Sequence, residues 1–261
     1  MHIGLTYDRL HNETIPEWAA TEPEVEETIT SLAACLERLG HQVSRIGNIF
    51  DLNAQLANGK RWDIVFNTSQ GTQGVGKECH IPAVLDIYEI PHTLADAFSL
   101  SVMLHPGMVQ SIVSRAGIPS TEIPLGGRKL IVGITGSQQR ARILGIMEES
   151  TQRAFTHNDE KIARTAIAAW NSLGCRDAGC IHLRMDAAGT PHFVHVEPLA
   201  SLHPGFSDLV TLSRAHGISY ANLVRIILEE ALVRSNISTK SDSAPNVQNF
   251  TQPSKTTASP L

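Results

Sequence analysis

Apolar and polar positions alternate in two rhythms along this chain, and the rhythms set its elements. His2 to Tyr7 is an apolar run of strand length. From Glu24 the apolar positions are Val25, Ile29, Leu32, Leu36 and Leu39, three or four apart, which predicts a helix ended by Gly40. His41 to Ile46 reads as a second strand, Asp51 to Ala57 as a short helix and Asp63 to Asn67 as a third strand. That order predicts a parallel sheet with helices on both faces. Pro82 to Tyr88 and Leu100 to Ala116 read as further helical stretches, with His105-Pro106-Gly107 as an interrupting loop. Lys129 to Ile134 and Ala141 to Glu148 read as antiparallel strands around Gly136-Ser137. Asp159 to Leu173 is an amphipathic helix with Asn158 as its expected cap, and Tyr220 to Arg234 is the last helix.

The stretch from Cys180 to Leu209 carries the densest polar pattern. It reads as two strands around a turn centred on Ala188-Gly189, with glycine supplying the positive φ. Pairing about that centre sets His182 opposite His195 and Cys180 opposite Glu197. Side chains alternate faces with period two, so these four share one face. Ile181, Leu183, Val194 and Val196 are then expected on the core face. A polar face this crowded is costly to bury without partners and is expected to line a cleft.

Composition narrows the classes. The chain has 261 residues, 42% of them hydrophobic, enough for a substantial core in one or two domains. Its net charge of -5 gives no electrostatic reason to expect nucleic acid or an anionic membrane as partner. No apolar run reaches transmembrane length and the opening MHIGLTYD is strand-like, which points to a cytoplasmic protein. Cys35, Cys79, Cys175 and Cys180 show no CxxC spacing and are expected to be reduced thiols. Gly71 to Gly76 lacks the Lys-Ser/Thr pair of a phosphate loop and reads as a tight turn. The acidic run Glu22, Glu24, Glu26 and Glu27 reads as a solvated first turn of its helix. From Asn236 onward Ser, Thr, Pro, Asn and Gln prevail without periodicity, so 236–261 is expected to be a disordered tail.

Arg184, Phe193, Val196, Pro198, Leu202, Pro204, Gly205 and Ser207 fall on the pattern of a known hairpin and loop. Through them the segment resembles the C-terminal metal-and-nucleotide hairpin of the D-alanine–D-alanine ligases, which are ATP-grasp carboxylate–amine ligases. Asp63 to Asn67 with Gly71 and Gly74, Ile81 to Leu85, Ile90 to Thr93, Ala116 to Pro119 and Gly127 to Ile134 resemble the same family in the same order. The resemblance implies an N-terminal parallel α/β domain over 1–118 and an incomplete ATP-grasp domain with a mainly antiparallel sheet over 128–235. Between them, 119–127 is a shortened junction where the family carries a nucleotide-clamping subdomain. It further implies ATP and Mg2+ as cofactors, a small-molecule amino acid or carboxylate substrate, and a homodimer.

The departures change the expected chemistry. By resemblance, His182, His195 and Glu197 occupy positions where the family's carboxylates and amide hold magnesium, and Glu197 and Arg184 would face the nucleotide. Magnesium prefers oxygen ligands, so imidazole at two of three positions suits it badly. Cys180 aligns with the family's transition-state arginine, and Ser207 with its substrate-contacting loop; Asp208 could equally cap a helix. His105-Pro106 replaces an Asp-Lys pair, and no lysine lies between Lys77 and Lys129. Three readings follow. The chain could be an active ligase with an unusual site or with its clamp supplied by a partner, in which case Arg184, Cys180 and Ser207 are the catalytic candidates. It could be a pseudoenzyme on the same scaffold. It could be a transition-metal protein in which His182, His195 and Glu197, with Cys180 nearby, offer the N, O and S donors that Zn2+ prefers. Against the last stands the plainer role of hydrogen-bonded surface histidines, and for His203 a plain turn.

Overall fold

The computed structural model describes residues 1–8, 22–71, 73–120, 127–149, 155, 159–199 and 201–237. The junction segment 121–126 and nearly all of the C-terminal tail lie outside the described residues, as does Asn158. No helix among the described residues is long and apolar enough to cross a membrane.

The first sheet is parallel. Strands β1 (His2–Thr6), β2 (Gln42–Gly47) and β3 (Ile64–Asn67) lie in the order β2-β1-β3, joined by helices α1 (Glu22–Arg38) and α2 (Ile49–Ala57). Ile3, Leu5, Ile64 and Phe66 are fully buried, and Ile29, Leu32 and Leu36 of the predicted stripe pack on Ile3, Leu5 and Phe66. The α2 entry is a capping box: Asn48 accepts from the amides of Phe50 and Asp51 while Asp51 accepts from the Asn48 amide. Helices α3 (His80–Ile87), α4 (Ala97–Met103) and α5 (Pro106–Arg115) follow.

The second sheet is antiparallel, in the order β5-β4-β6-β7, from β4 (Lys129–Thr135), β5 (Arg142–Glu148), β6 (Ala178–Met185) and β7 (Pro191–Glu197). Helix α6 (Glu160–Ser172) covers one face, setting Ile162, Ala166 and Trp170 against Leu130, Val132, Ile181, Leu183 and Phe193. Helices α7 (Asp208–Ala215) and α8 (Tyr220–Arg234) pack on the other face. Gly133 permits this approach: a Cβ there would stand 3.1 Å from Leu212 and 3.4 Å from Leu209. One apolar cluster runs from β1 and α1 through α8 to Ile131, Leu144 and Cys180 of this sheet. The predicted fold class, a parallel α/β part with a mainly antiparallel second sheet, is what the chain adopts.

Several local expectations need correction. His105-Pro106-Gly107 is no loop: His105 is the N-cap of α5 and Pro106 its first helical residue, a position where the missing N–H costs nothing. Asp159 caps α6, its carboxylate accepting from the amides of Lys161 and Ile162. Ser207, not Asp208, caps α7 by accepting from the Val210 amide, and α7 itself was not predicted. Val194 is 39% exposed rather than on the core face.

Candidate functional site

The exposure of Val194 follows from how the hairpin closes. The turn runs from Asp186 to Thr190, and the Asp186 carboxylate accepts from the amides of Ala188 and Thr190 while Gly189 takes φ 73°. Near this turn the pairs are Met185–Pro191, Arg184–His192 and Leu183–Phe193. Beyond it the register shifts by one residue at Val194, a bulge, and the pairs become His182–His195 and Cys180–Glu197. The expected pairs therefore form, but through a turn centred on Ala188 and a compensating bulge rather than a two-residue turn. Phe193, fully buried, takes the core position that the uncorrected register gave to Val194.

On the face opposite α6 this hairpin gathers three donors. Nε2 of His182 lies 3.1 Å from Oε1 of Glu197, and Nε2 of His195 lies 3.6 Å from the same oxygen. The three ligand atoms fall within 4.8 Å of one another. The two imidazoles stack with centroids 3.8 Å apart and planes 16° apart. Nε2 of His182 is buried, and the Glu197 carboxylate at 3.1 Å is the charged group it faces. Its side chain is 13% exposed, against 52% for His195 and 43% for Glu197, so the cluster is walled on one side and open on the other. Glu197 is a firm anion: the imidazole of His182 first, then that of His195, holds its carboxyl down to about 2. Donors around a tetrahedral ion with bonds of about 2.0–2.1 Å stand roughly 3.4 Å from one another. The two histidine–glutamate separations, 3.1 and 3.6 Å, lie near that value, and the third is bounded by the 4.8 Å span of the set.

The remaining site candidates are placed differently. Cys180 shares the face but is fully buried against the α7–α8 core, where burial pushes its thiol far up, with Glu197 and Asp208 adding to the effect. The three-residue donor set does not include it. Arg184 stands two residues along β6 from His182, on the same face, opposite His192. His192 gives Nε2 to the Asp186 carboxylate at 3.0 Å. The Ser207 hydroxyl is spent on capping α7 and donates to the carbonyl of Ser201. His203 serves the loop, its Nδ1 accepting from the Gly205 amide at 2.9 Å.

Two polar centres were not foreseen. At the carboxyl ends of β1 and β3, Asp8 accepts from the Ser69 hydroxyl and from the amides of Gln70 and Gly71, while Gln70 donates to the Leu199 carbonyl just past β7. At the start of β6, the buried Asp177 accepts from the Leu94 amide at 2.7 Å and from Nε and Nη2 of Arg234. Beside it Arg176 pairs with Asp96 and donates to the carbonyl of Leu94. The signal in the sequence was the Arg-Asp pair entering a strand, which has many ordinary meanings.

No protein-family model matches the sequence, and no curated protein matches it. Solved structures do. A D-alanine–D-alanine ligase from Bacillus anthracis superposes with a TM-score of 0.74 over 90% of this chain and 99% of its own, at 14% identity. The same enzyme complexed with ATP gives 0.71 at 14% identity, with the same coverage. The ligase from Coxiella burnetii gives 0.69 at 12% identity, over 90% of this chain and 96% of its own. The chain thus shares the fold of these D-alanine–D-alanine ligases.

Proposed function

We propose that this chain is a ligase-fold protein whose metal position takes a zinc-type ion instead of magnesium, and in which ATP-dependent carboxylate–amine ligation is impaired. The observation that carries the reading is the convergence of one donor atom each from His182, His195 and Glu197 within 4.8 Å. Two imidazoles and one carboxylate match the preference of zinc and its neighbours and match magnesium poorly. Zinc would be held by these three residues and would supply Lewis acidity there. Neutral imidazole and a permanent carboxylate are the protonation states that ligation requires.

Impaired ligation has separate support in the sequence. Only seven residues separate Pro119 from Gly127, where the resemblance places most of a nucleotide clamp. A triphosphate needs cations or backbone amides to offset its charge, and no lysine lies between Lys77 and Lys129. Cys180 stands where the resemblance places an arginine. Loss of one charge-stabilising donor alone costs about 2.7–4 kcal/mol in comparable sites.

Two measurements test the two halves. Zinc titrated into tag-free protein raises the melting temperature, since a ligand at a hundredfold excess over Kd stabilises the native state by about 2.7 kcal/mol. At roughly 2–4 °C per kcal/mol for a chain of this size, the shift is several degrees. A His182→Ala, His195→Ala variant loses it, and retention of the full shift in that variant refutes the site. Calorimetry with Mg-ATP shows no saturable binding. Micromolar affinity for ATP would restore the ligase reading.

A further inference from the structure

Where the first sheet meets the second lies a cleft of about 260 Å3 that shares no lining residue with the hairpin's donor cluster. Its walls carry opposite charges. Asp86 and Glu89, at the carboxyl end of α3, form one wall; Arg176, just before β6, and Arg234, closing α8, form the other. His92 lies between them and is 2% exposed, with Nε2 3.2 Å from Nη2 of Arg176 and 3.5 Å from Oδ1 of Asp86. Clefts that enclose drug-sized ligands run to roughly 300–1,000 Å3, so an occupant here is a molecule of few heavy atoms.

The groups left over in the cleft define that molecule. Arg176 is spent on the Leu94 carbonyl, on Asp96 and on His92. Arg234 gives Nε and Nη2 to Asp177 and Nη2 also to the His92 carbonyl, which leaves Nη1 without a partner among the described residues. Glu89 likewise has no ion pair among the described residues. The Asp86 carboxyl is held below the usual carboxylate range by His92 first, against the effect of burial, with Arg176 and Arg234 adding to it. The backbone is unusual here as well. Glu89, Leu94 and Asp177 are three of the five non-glycine residues with positive φ among the described residues, and such conformations gather at ligand clamps. Glu89, at φ 53°, closes α3 where glycine is the ordinary choice, so a carboxylate is placed at this lip at a conformational cost.

We propose that this cleft binds a small zwitterion, a free amino acid, with its carboxylate on Nη1 of Arg234 and its ammonium on Glu89 and Asp86. A carboxylate alone would stand beside two acidic side chains, and an ammonium alone beside two guanidiniums. A ligand carrying both charges pairs each with its opposite. The walls come from α3, the start of β6 and the end of α8, so the bound molecule ties these three elements together. This site is independent of the metal reading above.

The test is isothermal titration calorimetry of the tag-free chain in chelator-treated buffer, with glycine as the probe. Glycine binds saturably with a Kd at or below about 1 mM. Acetate, methylamine and glycinamide each lack one of its two charges and bind at least about tenfold more weakly. Glu89→Gln keeps the native melting temperature, because the side chain is exposed, and weakens glycine about tenfold. Asp86→Asn weakens it in the same direction. Failure of glycine to saturate the native chain overturns the proposal. Acetate that binds as well as glycine marks a plain anion site, methylamine that does so marks a plain cation site, and either result overturns it. Glycine binding unchanged in Glu89→Gln, or abolished by His182→Ala, His195→Ala, places the ligand elsewhere and also overturns it.

Discussion

Asp177→Ala destabilises the protein by about 3–5 kcal/mol, measured as the shift of the urea midpoint at constant slope. Asp177 is fully buried, and its carboxylate joins three parts of the chain. One oxygen accepts the Leu94 amide, the Arg234 guanidinium binds both, and the Asp177 carbonyl accepts from the Gly136 amide. Removing the carboxylate leaves Arg234, whose side chain is 26% exposed, with its bond to the His92 carbonyl but no counter-charge there, and leaves the buried Leu94 amide without its acceptor. Arg176 lies beside Arg234, and burial with that repulsion holds its pKa below the ordinary arginine value while Asp177 opposes the shift, so the loss of a shared anion is felt by both guanidiniums. The backbone adds to the cost, because Asp177 has φ 62°, a conformation alanine adopts less readily than aspartate. Asp177→Asn keeps an acceptor for Leu94 and a side chain suited to that φ, so it loses roughly half as much. A loss below about 1 kcal/mol for the alanine variant would show that solvent replaces the hub at little cost.

Trp170→Ala is expected to cost about 3–5 kcal/mol through its cavity. Its indole is fully buried between α6 and the second sheet, and Nε1 donates to the Gly136 carbonyl at 2.9 Å. The ring lies so close to β6 that a Cβ on Gly179 would come within 2.8 Å of it and 2.4 Å of the Glu197 carbonyl. The absence of a side chain at Gly179 is what lets the indole seat against the β6–β7 pair. Trp170→Phe restores part of the volume but not the donor, so about 1 kcal/mol of the loss should be specific to the hydrogen bond. Equal midpoints for the phenylalanine variant and the native protein would mean that the Gly136 carbonyl finds another donor.

Much of the architecture was legible because it rests on periodicity. The stripe from Val25 to Leu36 gave α1, Tyr220 to Arg234 gave α8 with the observed bounds, and the strand–helix order gave the parallel sheet. The pairings of His182 with His195 and Cys180 with Glu197 were also read from the sequence, though for a partly mistaken reason. A turn centred half a residue earlier and a bulge at Val194 offset each other. Bulges have no reliable local signature here, since Val194 looks like any strand residue. The α7 helix escaped because Ser207 sits in a Pro- and Gly-rich stretch that reads as loop, while its capping bond to Val210 is visible only in three dimensions. The Asp177 hub escaped for a different reason: its partners are 57 and 83 residues away, and tertiary pairs at that separation leave no mark in a single sequence. Burial likewise separated Cys180 from its neighbours on the same face, a distinction that depends on what α7 and α8 cover.

The sixteen positions from His182 to Glu197 form one uninterrupted ribbon, and that locality has an evolutionary side. A coordination set assembled from distant loops requires many coordinated substitutions, whereas a cassette within one ribbon can change its chemistry by a few exchanges at facing positions. The turn and the bulge at Val194 fix which side chains face one another, so they act as the template into which new donors are written. Side chains at these facing positions can therefore be exchanged while the α6 packing behind the ribbon stays untouched.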